Sequence, residues 1–306
     1  MNKLIELNTC KIYYYENCGM VNDYYQYVKN LFIECIKNKS LQNININLTS
    51  DINFAFNNNN KIIRVTINYE HTLVKNGGRG SRDSKEGIIL DDEDNKYLVR
   101  IVNYDNLCNN YELIIDYSIP NIHNVQTSGL YETFSKKHFY IAPCVHESVY
   151  HEKSQRPFNC LTTFINTSEP RRNALIQMIK NTSIKHSNIN NCFDREKMKN
   201  LYKHTKVMIN IHQTDHHHTF EELRVLPALQ CGVIVICETS PLSDKIPYNK
   251  YIIWSDYDNI IEKTQDVLNN YDEYHDKIFN QSTDKINLMD LHTTNQNQLS
   301  NMLSKT

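Results

Sequence analysis

Arginine pairs, helix-start signals and a histidine-rich loop gather in the second half of this 306-residue chain. In SEPRRNALIQMIK, Arg171 and Arg172 stand near an expected helix start, where the helix dipole disfavours cations. Two guanidinium groups placed there imply an anion close by. Ser168 reads as the cap of that helix and Pro170 as a first-turn residue. In HTFEELRVLPALQCGVIVICE, Thr219 followed three residues later by Glu222 reads as a capping box. Such a helix start offers free backbone N–H groups and a positive dipole end, which favour phosphate. Leu223, Leu226 and Leu229 form the expected core stripe, leaving Arg224 off it and Glu221 as a further charge. Gly232 is the expected left-handed stop of the helix. Taken alone, the same charges also suit a solvated helix face.

Other chemistries have weaker residue patterns. HQTDHHHTFEE holds His212, Asp215 and His216 to His218, all metal-ligand types. Consecutive histidines rarely converge on one ion and no H-E-x-x-H spacing occurs, so no metal site is expected. KNGGRGSRDSKEG matches neither phosphate-loop pattern and reads as a lid or an exposed loop. There is no G-x-S-x-G and no recognisable cysteine nucleophile motif, which leaves hydrolase chemistry with little support.

The elements that must position these groups follow from periodicity. KIYYYE, NININL, INFAF, KIIRVTINYEHTLV, KYLVRIVNY and ELIIDYSIPN read as strands, and VNDYYQYVKNLFIECIKN as a helix. A helix-permissive stretch then leads to HFYIAPCV. HESVYHEKSQRP reads as a linker near residues 145–157, dividing the chain into domains 1–150 and 151–306. Beyond it CLTTFIN, KVMINIH, VIVIC and KYIIW read as strands. They alternate with helices at SEPRRNALIQMIKN, DREKMKNLYKHT, the HTFEELR segment, DNIIEKTQDVLNN and YDEYHDKIFNQ. The tail TTNQNQLSNMLSKT reads as loose. Alternating strands and helices predict an α/β fold, with parallel sheets covered on both faces. Ligands of such sheets bind beyond the carboxyl ends of the strands. That rule selects residues 168–172, 212–222 and 238–242, among them His212 and Glu238. In the first half it selects Glu70, His71, the glycine-rich loop and residues 116–121, beginning with Asp116.

The bulk numbers narrow the class. A formal net charge of -2 gives nucleic acid no electrostatic attraction. No apolar run reaches the roughly 18–20 residues needed to span a bilayer. The start, MNKLIELNTCKIYYYE, is charged where a signal peptide would be apolar. Nine scattered cysteines suggest reduced thiols, hence a cytoplasmic setting, the host cytoplasm if the protein is viral. Abundant Asn, Tyr, Ile and Lys beside only 7 glycines and 7 prolines point to an AT-rich genome, of a large DNA virus or a microbe.

LYKHTKVMINIHQTDHHHTFEELRVLPALQCGVIVICE resembles the donor-binding half of GT-B glycosyltransferases (the group 1-like type). Arg224, Ala228 and Gly232 match its R-x-x-E-A-x-x-x-G pattern. CLTTFIN through RRNALIQMIK is similar to the first strand and helix of that half, with Arg171 or Arg172 at the basic position. The likeness covers roughly residues 158–272. It implies two Rossmann-like α/β domains with an interdomain cleft, a nucleotide-sugar donor, and a glycan or other hydroxyl acceptor. It also implies no catalytic metal or other cofactor. The donor diphosphate would meet the helix start at Thr219 to Glu222 and an arginine, Arg171 or Arg224. An inverting member would need a general base from the first half, for which Asp116, Glu70 and His71 are placed. The family glutamate before Ala228 is Pro227 here, and the acidic position eight residues earlier is Thr219. Glu221, Glu222 or Glu238 would have to substitute. The competing readings are a non-catalytic nucleotide- or sugar-binding protein and a metal-dependent hydrolase built on His216 to His218.

Overall fold

The computed structural model describes residues 1–38, 42–75, 97–146, 152–153, 156–214, 219–280 and 290–305. They form two compact units. One holds the described residues up to Pro143 together with those from Leu291 onward; the other holds those from Cys144 to Asp290.

The first unit opens on β1 (Asn2–Leu7), which pairs antiparallel with β2 (Cys10–Tyr15). Asn8 turns the chain at φ +52°, a conformation asparagine tolerates. After α1 (Asn22–Asn38), β3 (Ile44–Asn47) and β4 (Lys61–Asn68) extend the sheet in parallel. β5 (Leu73–Lys75) and β6 (Tyr97–Val99) make a small antiparallel pair beside it. Then come α2 (Tyr104–Asn110), β7 (Leu113–Asp116), α3 (Ile119–Ser128), α4 (Glu132–Ser135) and β8 (His138–Tyr140). The sheet order is β1-β2-β3-β4-β7-β8, parallel from β2 onward. β7 is buried along its whole length, as expected of a strand covered on both faces. Ile114 faces a cluster with Val99, Cys108, Val125, Tyr131 and Phe134. Tyr117, of opposite parity, meets Tyr24 of α1 edge-on.

The second unit alternates as far as β12 and then adds a further strand: β9 (Phe158–Thr162), α5 (Pro170–Lys180), β10 (His186–Asn188), α6 (Arg195–Lys203), β11 (Thr205–Asn210), α7 (Glu222–Gln230), β12 (Ile234–Glu238) and β13 (Ile252–Ser255). α8 (Ile260–Asn269) and α9 (Tyr271–His275) follow. All pairings are parallel, in the order β10-β9-β11-β12-β13. The chain therefore goes outward from β9 to β10, then reverses and continues on the other side from β11. Both units are Rossmann-like α/β assemblies, as the sequence pattern and the family likeness imply.

Four expectations are corrected. INFAF is not a strand. Ile52, Phe54 and Phe56 are half-buried and alternate with exposed neighbours, and Phe54 stacks on Tyr13, so the period of two serves packing rather than a ladder. KYLVRIVNY gives only the short β6 before α2 begins at Tyr104. The expected loose tail is α10 (Asp290–Lys305), which buries Leu291, Asn295, Leu299 and Leu303. Asn295 pairs with both the N–H and the C=O of Ala142, an anchor that composition does not reveal. The helix-start caps are the fourth and bear on the site.

Candidate functional site

Strand order reverses between β9 and β11, which makes a topological switch point, the place where open α/β sheets take their ligands. The loop after β9 leads into α5 and the loop after β11 into α7, so the first turns of both helices border it. Arg172 lies in the first turn of α5 and Arg224 in the first turn of α7. The two guanidinium groups sense one another as like charges. Burial first, and Arg224 second, draw Arg172 down to about 10, while Glu221 and Glu169 oppose the shift. Arg172 is 3% exposed. It lies over the Phe164 ring, 5.0 Å from the centroid, and its Nε is buried with no hydrogen-bond partner among the described residues. Arg224 Nη1 is likewise buried without a hydrogen-bond partner among the described residues. A buried guanidinium nitrogen without a hydrogen bond is costly to hold, and a like charge nearby adds to the cost.

The other expected donor-side groups separate into two sets. Arg171 points elsewhere: it grips Glu238 in a two-pronged ion pair and stacks on Tyr257 at 4.1 Å. Glu238 also accepts the His212 backbone N–H at 3.0 Å, and His212 Nε2 lies 3.1 Å from the Thr239 carbonyl. Arg171, His212 and Glu238 thus knit the carboxyl ends of β11 and β12 to α5. Thr219, Glu221 and Glu222 flank the switch point, but the capping box is not formed. α7 starts at Glu222 with Glu221 as its cap residue, and no side chain caps it. Glu222 is fully buried and accepts the Tyr248 hydroxyl at 2.6 Å, a tertiary partner that outcompetes the local one. Thr219 Oγ1 is left buried with no hydrogen-bond partner among the described residues. Ser168 does not cap α5 either: its hydroxyl turns back to Asn166 at 2.6 Å. Glu221 remains half-exposed beside the arginines. The expected core stripe also shifts, with Leu223 half-exposed and Val225, Leu226, Ala228 and Leu229 buried.

Gly232 behaves as expected. At φ +74° it ends α7, with Val233 N–H on Ala228 C=O and Gly232 N–H on Leu229 C=O. Pro227 sits inside α7, where it removes one helical N–H. Two residues escaped the sequence reading. Phe164 is buried beneath Arg172, and Asn210 ends β11 with Oδ1 buried and unpartnered among the described residues. Both fall outside the windows chosen by strand ends, although an aromatic shortly before two arginines was a usable signal.

In the first unit, Asp116 is fully buried at the end of β7. Its carboxylate faces the Ser118 N–H at 2.8 Å, Asn68 Nδ2 at 2.7 Å, Asn121 Nδ2 at 3.2 Å and His138 Nε2 at 2.8 Å. Every lone pair is engaged, so the carboxylate faces protein rather than an incoming hydroxyl. Glu70 is exposed and His71 half-buried at the carboxyl end of β4. The glycine-rich loop and His216 to His218 lie outside the described residues, so the hydrolase reading acquires no geometry. Among the described residues no group of three or more His, Cys, Asp or Glu side chains is arranged to hold a metal. None of the described helices is long and apolar enough to cross a membrane.

No protein-family model matches the chain. An uncharacterized protein of Acanthamoeba polyphaga mimivirus is 32% identical over 136 residues, which covers 42% of this chain and 48% of that relative. The chain thus spans about half the length of the curated relative it matches. Among solved structures it is similar to TarM, at a TM-score of 0.46 and 12% identity, covering 89% of this chain and 58% of that one. It is similar to a trehalose-6-phosphate synthase, at 0.45 and 8%, covering 100% and 89%. It is also similar to an α1,3-fucosyltransferase with GDP-fucose, at 0.41 and 11%, covering 84% and 78%. Scores this low leave the fold to be read from the strand order itself.

Proposed function

We propose that the second unit binds a nucleotide-sugar at its switch point and that the chain is a GT-B-type glycosyltransferase. The observation that carries the reading is buried Arg172 beside half-buried Arg224, two cations in the first turns of the helices at the place where an open parallel sheet takes its ligand. A diphosphate is the anion whose charge suits two guanidiniums. When the sugar departs to a hydroxyl acceptor, negative charge grows on the leaving diphosphate. Groups already aimed at it stabilise the transition state more than the ground state. On this reading the arginines do the work that a metal does elsewhere, and none is required. Glu221 is the acidic residue left to contact the sugar or ribose, because Glu222 and Glu238 are engaged. The acceptor-side base passes to Glu70 or His71, and Asp116 serves to hold the ends of β4 and β7. An origin in a large DNA virus fits the composition and the mimivirus relative.

Pro227 favours a second reading, a nucleotide-sugar-binding protein that has lost catalysis, since it stands where the family likeness places a glutamate. Thermal unfolding against UDP-, GDP-, CMP- and dTDP-sugars, each with and without EDTA, tests the assignment. One nucleotide class should raise the melting temperature regardless of chelator. Turnover of that sugar nucleotide then separates enzyme from binder, and no shift with any class contradicts the assignment.

A further inference from the structure

The buried Nε of Arg172 has no hydrogen-bond partner among the described residues, so what fixes the ring beneath the guanidinium bears on where the guanidinium sits. That surface is the Phe164 ring, two residues beyond the end of β9. The backbone of Phe164 has left the β9–β10 ladder, whose last register pair is Thr162 with Asn188. It is nevertheless held as if the ladder continued. Asn188 Oδ1 accepts the Phe164 N–H at 2.9 Å, and Asn188 Nδ2 donates to the Phe164 carbonyl at 3.2 Å. One side-chain amide thus imitates a strand neighbour, and the pairing fixes which end of the amide is oxygen. The amide is in turn held in place: Thr162 Oγ1 donates to Asn188 Oδ1 at 2.8 Å and receives His186 Nε2 at 2.9 Å. Because the Thr162 proton goes to Asn188, His186 must present Nε2–H. Burial, then Lys180, lower the His186 pKa, in keeping with a neutral ring.

We infer that Asn188 is a positioning residue for the anion site: through the Phe164 backbone it sets the ring, and through the ring the guanidinium of Arg172. The inference rests on the diphosphate-binding reading of Arg172. Edge-strand residues remote from a ligand usually affect stability alone. Asn188 differs because it acts through a guanidinium whose buried Nε has no hydrogen-bond partner among the described residues to re-centre it. Small displacements of such a group weaken a charge-assisted, geometry-dependent contact.

The test is a double-mutant cycle on the full chain, read as the dissociation constant for UDP and GDP, with melting temperatures recorded alongside. Asn188→Ala should weaken binding on the order of tenfold, and Phe164→Leu by a similar factor. In an Arg172→Ala background, adding Asn188→Ala should change affinity little, because the group it positions is gone. Ser187→Ala, an exposed change on the same edge strand, should leave affinity unaltered in either background. Equal losses from Asn188→Ala with and without Arg172, or a melting-temperature change with no loss of affinity, would overturn the inference. If the wild type binds neither nucleotide, the diphosphate reading fails. The Arg172 Nε–Hε resonance then still decides whether Asn188 positions Arg172: unmoved in Asn188→Ala, it refutes positioning; shifted or broadened, it supports it.

Discussion

Two adjacent arginines illustrate how burial and partners divide labour between similar side chains. Arg171 is committed to Glu238 and Tyr257, so Arg171→Ala should strand a mostly buried carboxylate and cost about 3 kcal/mol of stability. Chemical denaturation checks this, and an unchanged midpoint would contradict it. Arg172→Ala should do the opposite, sparing the fold and weakening nucleoside diphosphate binding. Both arginines were legible as a pair at a helix start; which one stays available was not, because that depends on Glu238, sixty-seven positions away. The same limit explains Thr219 and Glu222. Their spacing satisfies the local capping rule, but Tyr248 captures Glu222 and the box does not close. Asp116 was legible as a strand-end carboxylate, whereas its enclosure by Asn68, Asn121 and His138 needed the fold. Asp116→Ala should leave several buried donors unsatisfied and destabilise the protein by about 3 kcal/mol or more, measured by denaturation.

At the scale of elements, periodicity succeeded where burial dictated it and failed where pairing or anchoring did. α1, β11 and β12 carry continuous apolar signals. β10, by contrast, is three residues with no buried side chain, held by its ladder to β9 and by polar side-chain contacts that carry no periodic signal. α10 is polar for most of its length, and its anchoring asparagine reads as a loop former. The Gly232 stop was recoverable because only glycine accepts its backbone at low cost. Gly232→Ala should cost about 1–2 kcal/mol, read as a lower melting temperature. His146, behind α7, pairs its backbone with the Gln230 side chain, while neither ring nitrogen has a hydrogen-bond partner among the described residues. Burial first, then Arg195, Lys199 and Lys203, push its pKa down to about 3. The unfolded chain takes up a proton near pH 6.5 that the folded ring refuses until about 3. Stability is therefore intact above 6.5 and lost as pH falls through that window, by about 1.4 kcal/mol per pH unit from this group. His146→Leu should flatten the acid limb of a stability–pH curve, and an unchanged limb would refute the assignment.

For the whole molecule, the two α/β units have different strand plans, and the proposed binding site rests on that difference. In the first unit the order of the parallel strands follows the chain, while in the second it reverses between β9 and β11. The reversal sets at one place two helix starts, each with an arginine in its first turn, that the sequence holds more than fifty residues apart. The most direct measurement is calorimetric titration of UDP and GDP into the wild type and Arg172→Ala, with melting temperatures recorded for both. One nucleotide should bind the wild type, and the substitution should weaken it at least about tenfold at unchanged melting temperature. Equal affinity in the two proteins, or no binding of either nucleotide to the wild type, would contradict the account.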